Sequence, residues 1–361
     1  MNDKKNLVTV IGNRPQFIKM TPVNIELENR GIEQTIIHTG QHYDYEMNEI
    51  FFEELNIRKP DIQVSLNSNL HGAMTGELLE KLEKIFLELN PKGVLIYGDT
   101  NSTLAAALAA VKLGIPIAHI ESGPRLGNLE TPEEVNRIVA DHISTLRFVS
   151  DDPSKSNLEM EGITSGVIYS GDVMYDLFLK YERKFNLTNK SKRKIVYMTL
   201  HRPQNVDSRE CHMQIIDFIK NSDVDVVFPM HKRTLNMIDK LDLADEYSSI
   251  DNFKISGPIG YLESVKTILS ADYVITDSGG VQKEAFFAKK LSMLMLPQTP
   301  WPQLRDSGWQ YLAGWVSENK MLTKFNEIRE TEIPNQAPSY FGKGNSASII
   351  VDALIEHNFT S

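Results

Sequence analysis

Short, nearly unbroken apolar runs alternate along this chain with longer stretches in which apolar residues return every three or four positions. Asn6-Leu-Val-Thr-Val-Ile-Gly12 is such a run ending on glycine, and Pro15 follows where the first turn of a helix accepts proline. The strand signal repeats over Gln34 to His38, and Met47, Ile50, Phe51 and Leu55 predict a helix within Tyr45 to Leu55. A long amphipathic helix is predicted over Gly72 to Leu89, then a strand over Gly93 to Tyr97, an Ala/Leu-rich helix to Leu113 and a strand over Ile115 to Ile120. Strands apolar on both faces need cover on both faces, so this half predicts a parallel sheet between helices.

A second series starts after Asp172. Val173 to Asn189 reads as a helix and linker, Lys/Arg-rich around Lys190 to Lys194. Strand signals return at Ile195 to Thr199, Val224 to Phe228, Phe253 to Ile255, Tyr273 to Ile275 and Ser292 to Leu296. The expectation is an α/β protein of two doubly wound, Rossmann-like domains facing a cleft, 1–172 and 173–344, with a last helix within 345–361 crossing back to the first. Neither a periodic repeat nor a low-complexity tract interrupts the pattern.

Composition narrows the partners. With 361 residues, 41% hydrophobic and 24% charged, the chain is long enough for two cores of ordinary globular make-up. A formal net charge of −10 argues against a nucleic-acid partner, because phosphate-backbone affinity comes from clustered Lys and Arg. An anionic small molecule fits better, since a local pocket of Arg and His outweighs screened distant charge. The single cysteine, Cys211, has no internal disulfide partner, and neither a leader pattern nor a membrane-length apolar run is read, so the expected location is the cytoplasm.

Candidate chemistry gathers where strands end. The stretch from Ala271 to Glu284 reads as a buried strand, the small-residue turn Ser278-Gly279-Gly280 and a helix start. Unpaired N–H groups at the positive end of that helix would cradle a diphosphate, and Glu284, one turn on, could receive a ribose diol. The plain alternative is a tight turn capped by Asp277 or Ser278. Arg14 and Lys19 follow the first strand, Asp99 and Glu121 end later ones, and His201-Arg202 and His231-Lys232-Arg233 end strands of the second half. Each has a structural reading: Asp99-Thr100 as a helix cap, Glu121 as a solvated edge, Pro132-Glu133-Glu134 as a helix start, His231-Lys-Arg as a basic turn. Cys211-His212 lacks partners at metal-ligand spacing.

Taken together, Gly12-Asn-Arg-Pro-Gln-Phe-Ile-Lys19, His38-Thr-Gly-Gln-His42, Gly98-Asp-Thr-Asn-Ser-Thr103, Pro132-Glu-Glu-Val-Asn-Arg137, Gly171-Asp-Val-Met-Tyr175 and Thr276-Asp-Ser-Gly-Gly-Val-Gln-Lys-Glu284 resemble the UDP-N-acetylglucosamine 2-epimerase family. Leu70 to Gly76 and Gly171 to Tyr175 are most similar to the branch that includes UDP-2,3-diacetamido-2,3-dideoxyglucuronate 2-epimerases. The resemblance implies a GT-B-like fold, a homodimer, no metal and no cofactor. It implies UDP contacts at Arg14, His201, His231, Ser278, Gly279 and Gly280 and a ribose contact at Glu284. Acid/base carboxyls fall on Asp99, Glu121 and Glu133, and Lys19 and Arg137 match further active-site positions. The implied chemistry is C2 inversion by anti elimination of UDP to a 2-acetamidoglucal and re-addition. Crowded carboxyls would supply both base and acid, and Arg137 would keep Glu134 ionised.

Three departures qualify the resemblance. Glu121-Ser-Gly-Pro-Arg125 stands where the family has Glu-Ala-Gly-Leu-Arg. Leu296-Pro-Gln-Thr-Pro300 stands for Leu-Arg-Asp-x-Thr-Glu, one residue shorter, without the arginine and both acids. Tyr43-Asp-Tyr-Glu46 differs from the residues by which some members bind a second UDP-sugar, so that activation is not expected. Beside the epimerase stand three alternatives: a GT-B glycosyltransferase, a non-catalytic nucleotide-sugar binder, and a hydrolysing 2-epimerase that releases free sugar.

Overall fold

Apolar parallel strands assemble, in the computed structural model of the chain, into two separate sheets. The structure describes residues 7–40, 54–55, 57–68, 70–185, 193–251, 253, 256–318 and 320–360. The expected helix over Tyr45 to Leu55 lies almost wholly outside these, as do Gln41-His42 and Tyr43 to Glu46. The chain divides into two compact units, 1–179 with 339–361, and 180–338.

The first unit holds β1 (Leu7–Ile11), β2 (Gln34–His38), β3 (Ile62–Gln63), β4 (Gly93–Tyr97), β5 (Ile117–Ile120), β6 (Leu146–Val149) and β7 (Val167–Tyr169). They form one parallel sheet in the order β3-β2-β1-β4-β5-β6-β7. Its helices are α1 (Arg14–Asn29), α2 (His71–Leu89), α3 (Asn101–Lys112), α4 (Pro132–Ile143), α5 (Asp152–Met160) and α6 (Val173–Glu182), which runs across the division between units. Met74, Leu78, Leu82 and Phe86 recur every fourth residue of α2 and pack in one core with Ala105, Ala106 and Ala109 of α3. Alanine there removes side-chain bulk between the helices, which is why an Ala-rich segment sits inside the protein.

The second unit holds β8 (Ile195–Thr199), β9 (Asp225–Val227), β10 (Tyr273–Thr276), β11 (Leu291–Leu294) and β12 (Gln310–Leu312), parallel in the order β12-β11-β10-β8-β9. Between them run α7 (Pro203–Val206), α8 (Arg209–Asn221), α9 (Lys232–Lys240), α10 (Ala244–Ser248), α11 (Tyr261–Ser270), α12 (Gly279–Phe287) and α13 (Pro302–Asp306), and α14 (Met321–Arg329) follows β12. Tyr197, Ile268, Val274 and Ala285 form a core between sheet and helices. The last helix, α15 (Ser346–Glu356), belongs to the first unit, where Arg30 of α1 reaches Asp352 at 2.9 Å and Ser348 at 3.2 Å. Phe359 then fills the space beside Gly93: a Cβ on that glycine would meet the ring at 2.2 Å.

Each sheet has a point where strand order reverses, between β1 and β4 in the first and between β8 and β10 in the second, and ligands of such sheets bind beyond the strand ends there. The expected strand at Phe253 to Ile255 is represented by isolated bridges, Val226 to Phe253 and Pro229 to Ser256. Three further strands, β6, β7 and β12, carry weak signals. Arg147 breaks the apolar run of β6, β7 is a half-buried edge, and β12 is three residues long and begins with glutamine.

Truncating Leu82, which is fully buried, to alanine should cost about 2–5 kcal/mol. The same change at the exposed Leu87 should stay within about 0.5 kcal/mol. Urea unfolding should show the first as a lower midpoint with unchanged slope.

Candidate functional site

In the second unit, the chain leaves β10 through Asp277 and enters α12 with Ser278 as N-cap, its Oγ accepting from the Val281 N–H at 3.5 Å. Of the two open capping readings, serine is the cap. The N–H groups of Gly279 and Gly280 open the helix, where no helical acceptor exists for them. Asp277, fully buried, turns instead toward the loop after β8. Its carboxylate accepts from the N–H groups of His201 (3.0 Å) and Arg202 (2.9 Å), from Asn205 Nδ2 (3.0 Å) and from His201 Nδ1 (2.9 Å). Asn205 also donates to the Met295 carbonyl at 2.9 Å and accepts from the Val316 N–H at 2.9 Å, so the segments after β8, β10, β11 and β12 share one knot. Burial pushes the Asp277 carboxyl up, but the His201 hydrogen bond and charge, with Asn205 and the Arg202 N–H, hold it below the usual aspartate value.

His231 caps α9 through Nδ1, which accepts from the Arg233 N–H at 3.2 Å and so leaves the ring proton on Nε2. Its ring centroid lies 6.1 Å from that of His201. Arg233 pairs with Asp207. Behind the turn, Gln282, Lys283 and Glu284 are all buried. Gln282 Oε1 accepts from Thr299 Oγ1 at 2.7 Å and from Gln310 Nε2 at 2.9 Å, and Lys283 Nζ lies 4.6 Å from the centre of the Trp301 ring. The segment 296–300 is thus tied to α12 through the Thr299 hydroxyl.

In the first unit, Asn13 caps α1, and Gln16 braces the strand ends at the reversal point. Its Oε1 accepts from the Gly12 N–H at 2.7 Å, and its Nε2 donates to the Tyr97 carbonyl at 2.6 Å. Arg14, partly buried, opens the helix. Thr100 and not Asp99 caps α3. That leaves the Asp99 carboxylate to Arg137, whose other nitrogen reaches Glu134 at 3.0 Å. Burial disfavours the Arg137 cation, and the charges of Asp99, Glu121 and Glu134 more than compensate, raising its pKa above the ordinary value. Lys19 Nζ meets Glu121 Oε1 at 2.6 Å, both side chains only about a tenth exposed. Glu121 adopts φ +67°, a left-handed conformation costly for any residue with a Cβ. Gly98 is also left-handed, and a Cβ there would stand 3.0 Å from Lys19 Nζ and 3.9 Å from Glu121 Oε1.

Lys19, Asp99, Glu121 and Arg137 are therefore brought together within one unit. The carboxylates expected to crowd one another instead each hold a cation. Glu133 is exposed, whereas Glu134, at 1% exposure, accepts from the Leu126 and Gly127 N–H groups at 2.8 Å each. Sequence reading passed over two further residues. His119, inside β5, bonds the Gly98 carbonyl through Nε2 and Asp141 Oδ1 through Nδ1, both at 2.7 Å. Asp141 also meets Arg125 at 2.8 Å and the Gly123 N–H at 3.1 Å. Burial raises the Asp141 carboxyl, yet His119 and Arg125 hold it below its usual value. The available signal was a titratable residue in an otherwise apolar strand. Among the described residues no group of three His, Cys, Asp or Glu could hold a metal ion, and no helix is long and apolar enough to cross a membrane.

The family model described as UDP-N-acetylglucosamine 2-epimerase matches residues 25–355. A UDP-N-acetylglucosamine 2-epimerase homolog of Methanococcus maripaludis is 43% identical over 96% of this chain and 99% of its own. The UDP-2,3-diacetamido-2,3-dideoxy-D-glucuronate 2-epimerase of Pseudomonas aeruginosa is 42% identical over 96% and 99%. Among solved structures, the Methanocaldococcus jannaschii UDP-GlcNAc 2-epimerase in complex with UDP-GlcNAc and UDP superimposes with a TM-score of 0.88 at 34% identity, over 97% of this chain and 99% of that one. The two parallel α/β sheets thus belong to a GT-B-like fold.

Asp141 and Asp277 both have lowered folded-state pKa values, against about 3.9 for an unfolded aspartate. Their contribution to stability is complete above the unfolded value and is lost as pH falls through the folded ones. Asp277→Asn should cost about 3–5 kcal/mol at pH 7, as breaking a buried ionic contact does. Urea unfolding between pH 7 and pH 3 should show a shallower acid loss for the variant than for the parent.

Proposed function

The chain belongs to the UDP-N-acetylglucosamine 2-epimerase family, and from that premise we propose that it inverts C2 of a UDP-2-acetamido sugar by eliminating and re-adding UDP. The enzyme is an isomerase of the UDP-N-acetylglucosamine 2-epimerase type. The substrate is UDP-N-acetylglucosamine or its 2,3-diacetamido-glucuronate analogue, converted by a cytoplasmic homodimer into a precursor for surface polysaccharide.

The reading assigns retention of the nucleotide to Ser278, Gly279, Gly280, His201 and His231 of the second unit. Main-chain N–H groups at the start of α12 and the Nε2–H of His231 suit a diphosphate whose charge grows as it leaves. Glu284 keeps the ribose assignment by family position. In the forward step the C2–H bond gives its proton to a carboxylate, its electron pair becomes the C1=C2 bond, and the C1–O bond breaks to release UDP. In return, a proton is delivered to the opposite face of C2 while UDP re-adds at C1. One group must accept and another must donate.

The observation that carries this reading is the pair of cation–carboxylate contacts at adjacent strand ends, Lys19 with Glu121 and Arg137 with Asp99. It offers two carboxylates, each with its own cationic partner, one to accept the proton and one to return it. Glu133, exposed on the same helix as Arg137, is the third candidate.

Incubation in D2O with each nucleotide sugar and no acceptor, read by NMR, should place deuterium at C2 with inversion. Free monosaccharide would point to the hydrolysing reaction, and an inert mixture to a transferase or binder. Asp99→Asn and Glu121→Gln should each lower kcat by about 10²–10⁴, with UDP affinity from calorimetry nearly unchanged. Equal losses in binding and turnover would count against the assignment. His231→Ala should do the reverse, weakening UDP binding by roughly tenfold, the loss of one charge-assisted hydrogen bond.

A further inference from the structure

We propose that His71 is a specificity-determining residue whose ring Nε2–H donates to an acetamido group on C3 of the sugar. The proposal rests on the epimerase reading above, in which Asp99 serves C2.

The ring is held by a chain of amides whose direction is fixed at its inner end. Asn136 Nδ2 lies 2.9 Å from the Asp99 main-chain carbonyl, which can only accept, so the nitrogen of Asn136 must face it. The same nitrogen lies 3.3 Å from Asn101 Oδ1, which turns the oxygen of Asn101 inward and its nitrogen outward. Reversing Asn101 would set two NH2 groups against each other. Asn101 Nδ2 therefore points at Met74 Sδ (3.5 Å) and at His71 Nδ1 (3.1 Å), both of which accept. A proton on Nδ1 would face that NH2 group, the Asn101 oxygen being farther off at 3.5 Å. Nδ1 is thus the lone-pair nitrogen, and the ring proton sits on Nε2.

The chain of amides runs from the interior to the surface. Asn136 and Asn101 are each 4% exposed, whereas His71 is exposed. α2 and α3 begin at the edge where β3 and β4 end, and parallel sheets bind their ligands beyond that edge. One directed N–H donor is therefore delivered there, tied to the turn that carries Asp99. All of these residues lie in the first unit.

The chemistry of the reaction selects the partner. Besides its hydrogen, C2 is bonded to C1, to its own acetamido nitrogen and to C3. UDP leaves C1, and inversion carries the 2-acetamido group from one side of the ring to the other. The C3 substituent keeps its side in both epimers, so a fixed donor beside the Asp99 turn can hold it in the forward and the reverse direction. An acetamido carbonyl is a stronger acceptor than a hydroxyl and reaches further from the ring. Its methyl gains from apolar cover, and Leu70, 75% exposed, directly precedes His71.

The test measures initial rates of the full chain with UDP-N-acetylglucosamine, UDP-2-acetamido-2-deoxyglucuronate and UDP-2,3-diacetamido-2,3-dideoxyglucuronate. The last two differ only at C3. The parent should favour the 3-acetamido sugar over its 3-hydroxy counterpart, and an equal or reversed preference overturns the proposal. His71→Ala should lower kcat/KM for the 3-acetamido sugar about tenfold, the scale of one hydrogen bond, with both 3-hydroxy sugars and UDP affinity within about twofold. An equal loss on all three sugars overturns it, because slackening of the Asp99 turn or contact with the shared 2-acetamido group would give that result. A loss shared by the two carboxylate sugars overturns it in favour of C6, and no loss overturns it outright. If the parent exchanges the C2 hydrogen of none of the three in D2O, the epimerase reading itself fails. The 3-acetamido preference and its loss in His71→Ala are then read as binding by calorimetry, with the same outcomes deciding.

Discussion

A carboxylate removed from water must be met by donors, and a fully buried aspartate in each unit, Asp141 in the first and Asp277 in the second, imposes that demand on the loops around it. Asp277 is met by two main-chain N–H groups, an asparagine and the His201 ring; Asp141 is met by a main-chain N–H, an arginine and the His119 ring. Such a group costs several kcal/mol if any donor is lost, so the loops that supply the donors are held where the carboxylate needs them. The polar turns carrying the candidate chemistry are rigid for this reason, although they lie outside regular secondary structure.

The same economy runs through the first unit. Gln16 ties the loop after β1 to the loop after β4, and Glu134 ties the 126–127 loop to α4. Side chains that might have done chemistry are spent on backbone, which frees their neighbours: Thr100 caps the helix and releases Asp99, Glu134 takes the loop amides and leaves Glu133 exposed. Strain concentrates beside them, at the left-handed Glu121, a conformation kept only where the surroundings over-determine it.

The second unit solves a different problem. Its phosphate turn is backed by Gln282, Thr299 and Gln310, with the Lys283 ammonium against the Trp301 ring. The hydroxyl of Thr299, donating to Gln282 Oε1, anchors the segment 296–300 to the turn's helix.

Periodicity and glycine placement determined the two α/β series by themselves, because a strand buried on both faces and a helix buried on one leave different repeats in the sequence. Gly12-Asn-Arg, Gly98-Asp-Thr and Asp277-Ser-Gly-Gly were legible as strand-end turns, and Lys19, Asp99, Glu121 and Arg137 as candidates near them. What spacing could not contain was partnership. That Lys19 meets Glu121 across 102 residues, that Arg137 chooses Asp99 and Glu134, and that a histidine inside β5 joins Gly98 to Asp141 all depend on which strands the sheet sets side by side. Local sequence sets a residue's own conformation, but the sign and solvent access of the charge opposite it come from segments distant in the chain, and only their packing decides those.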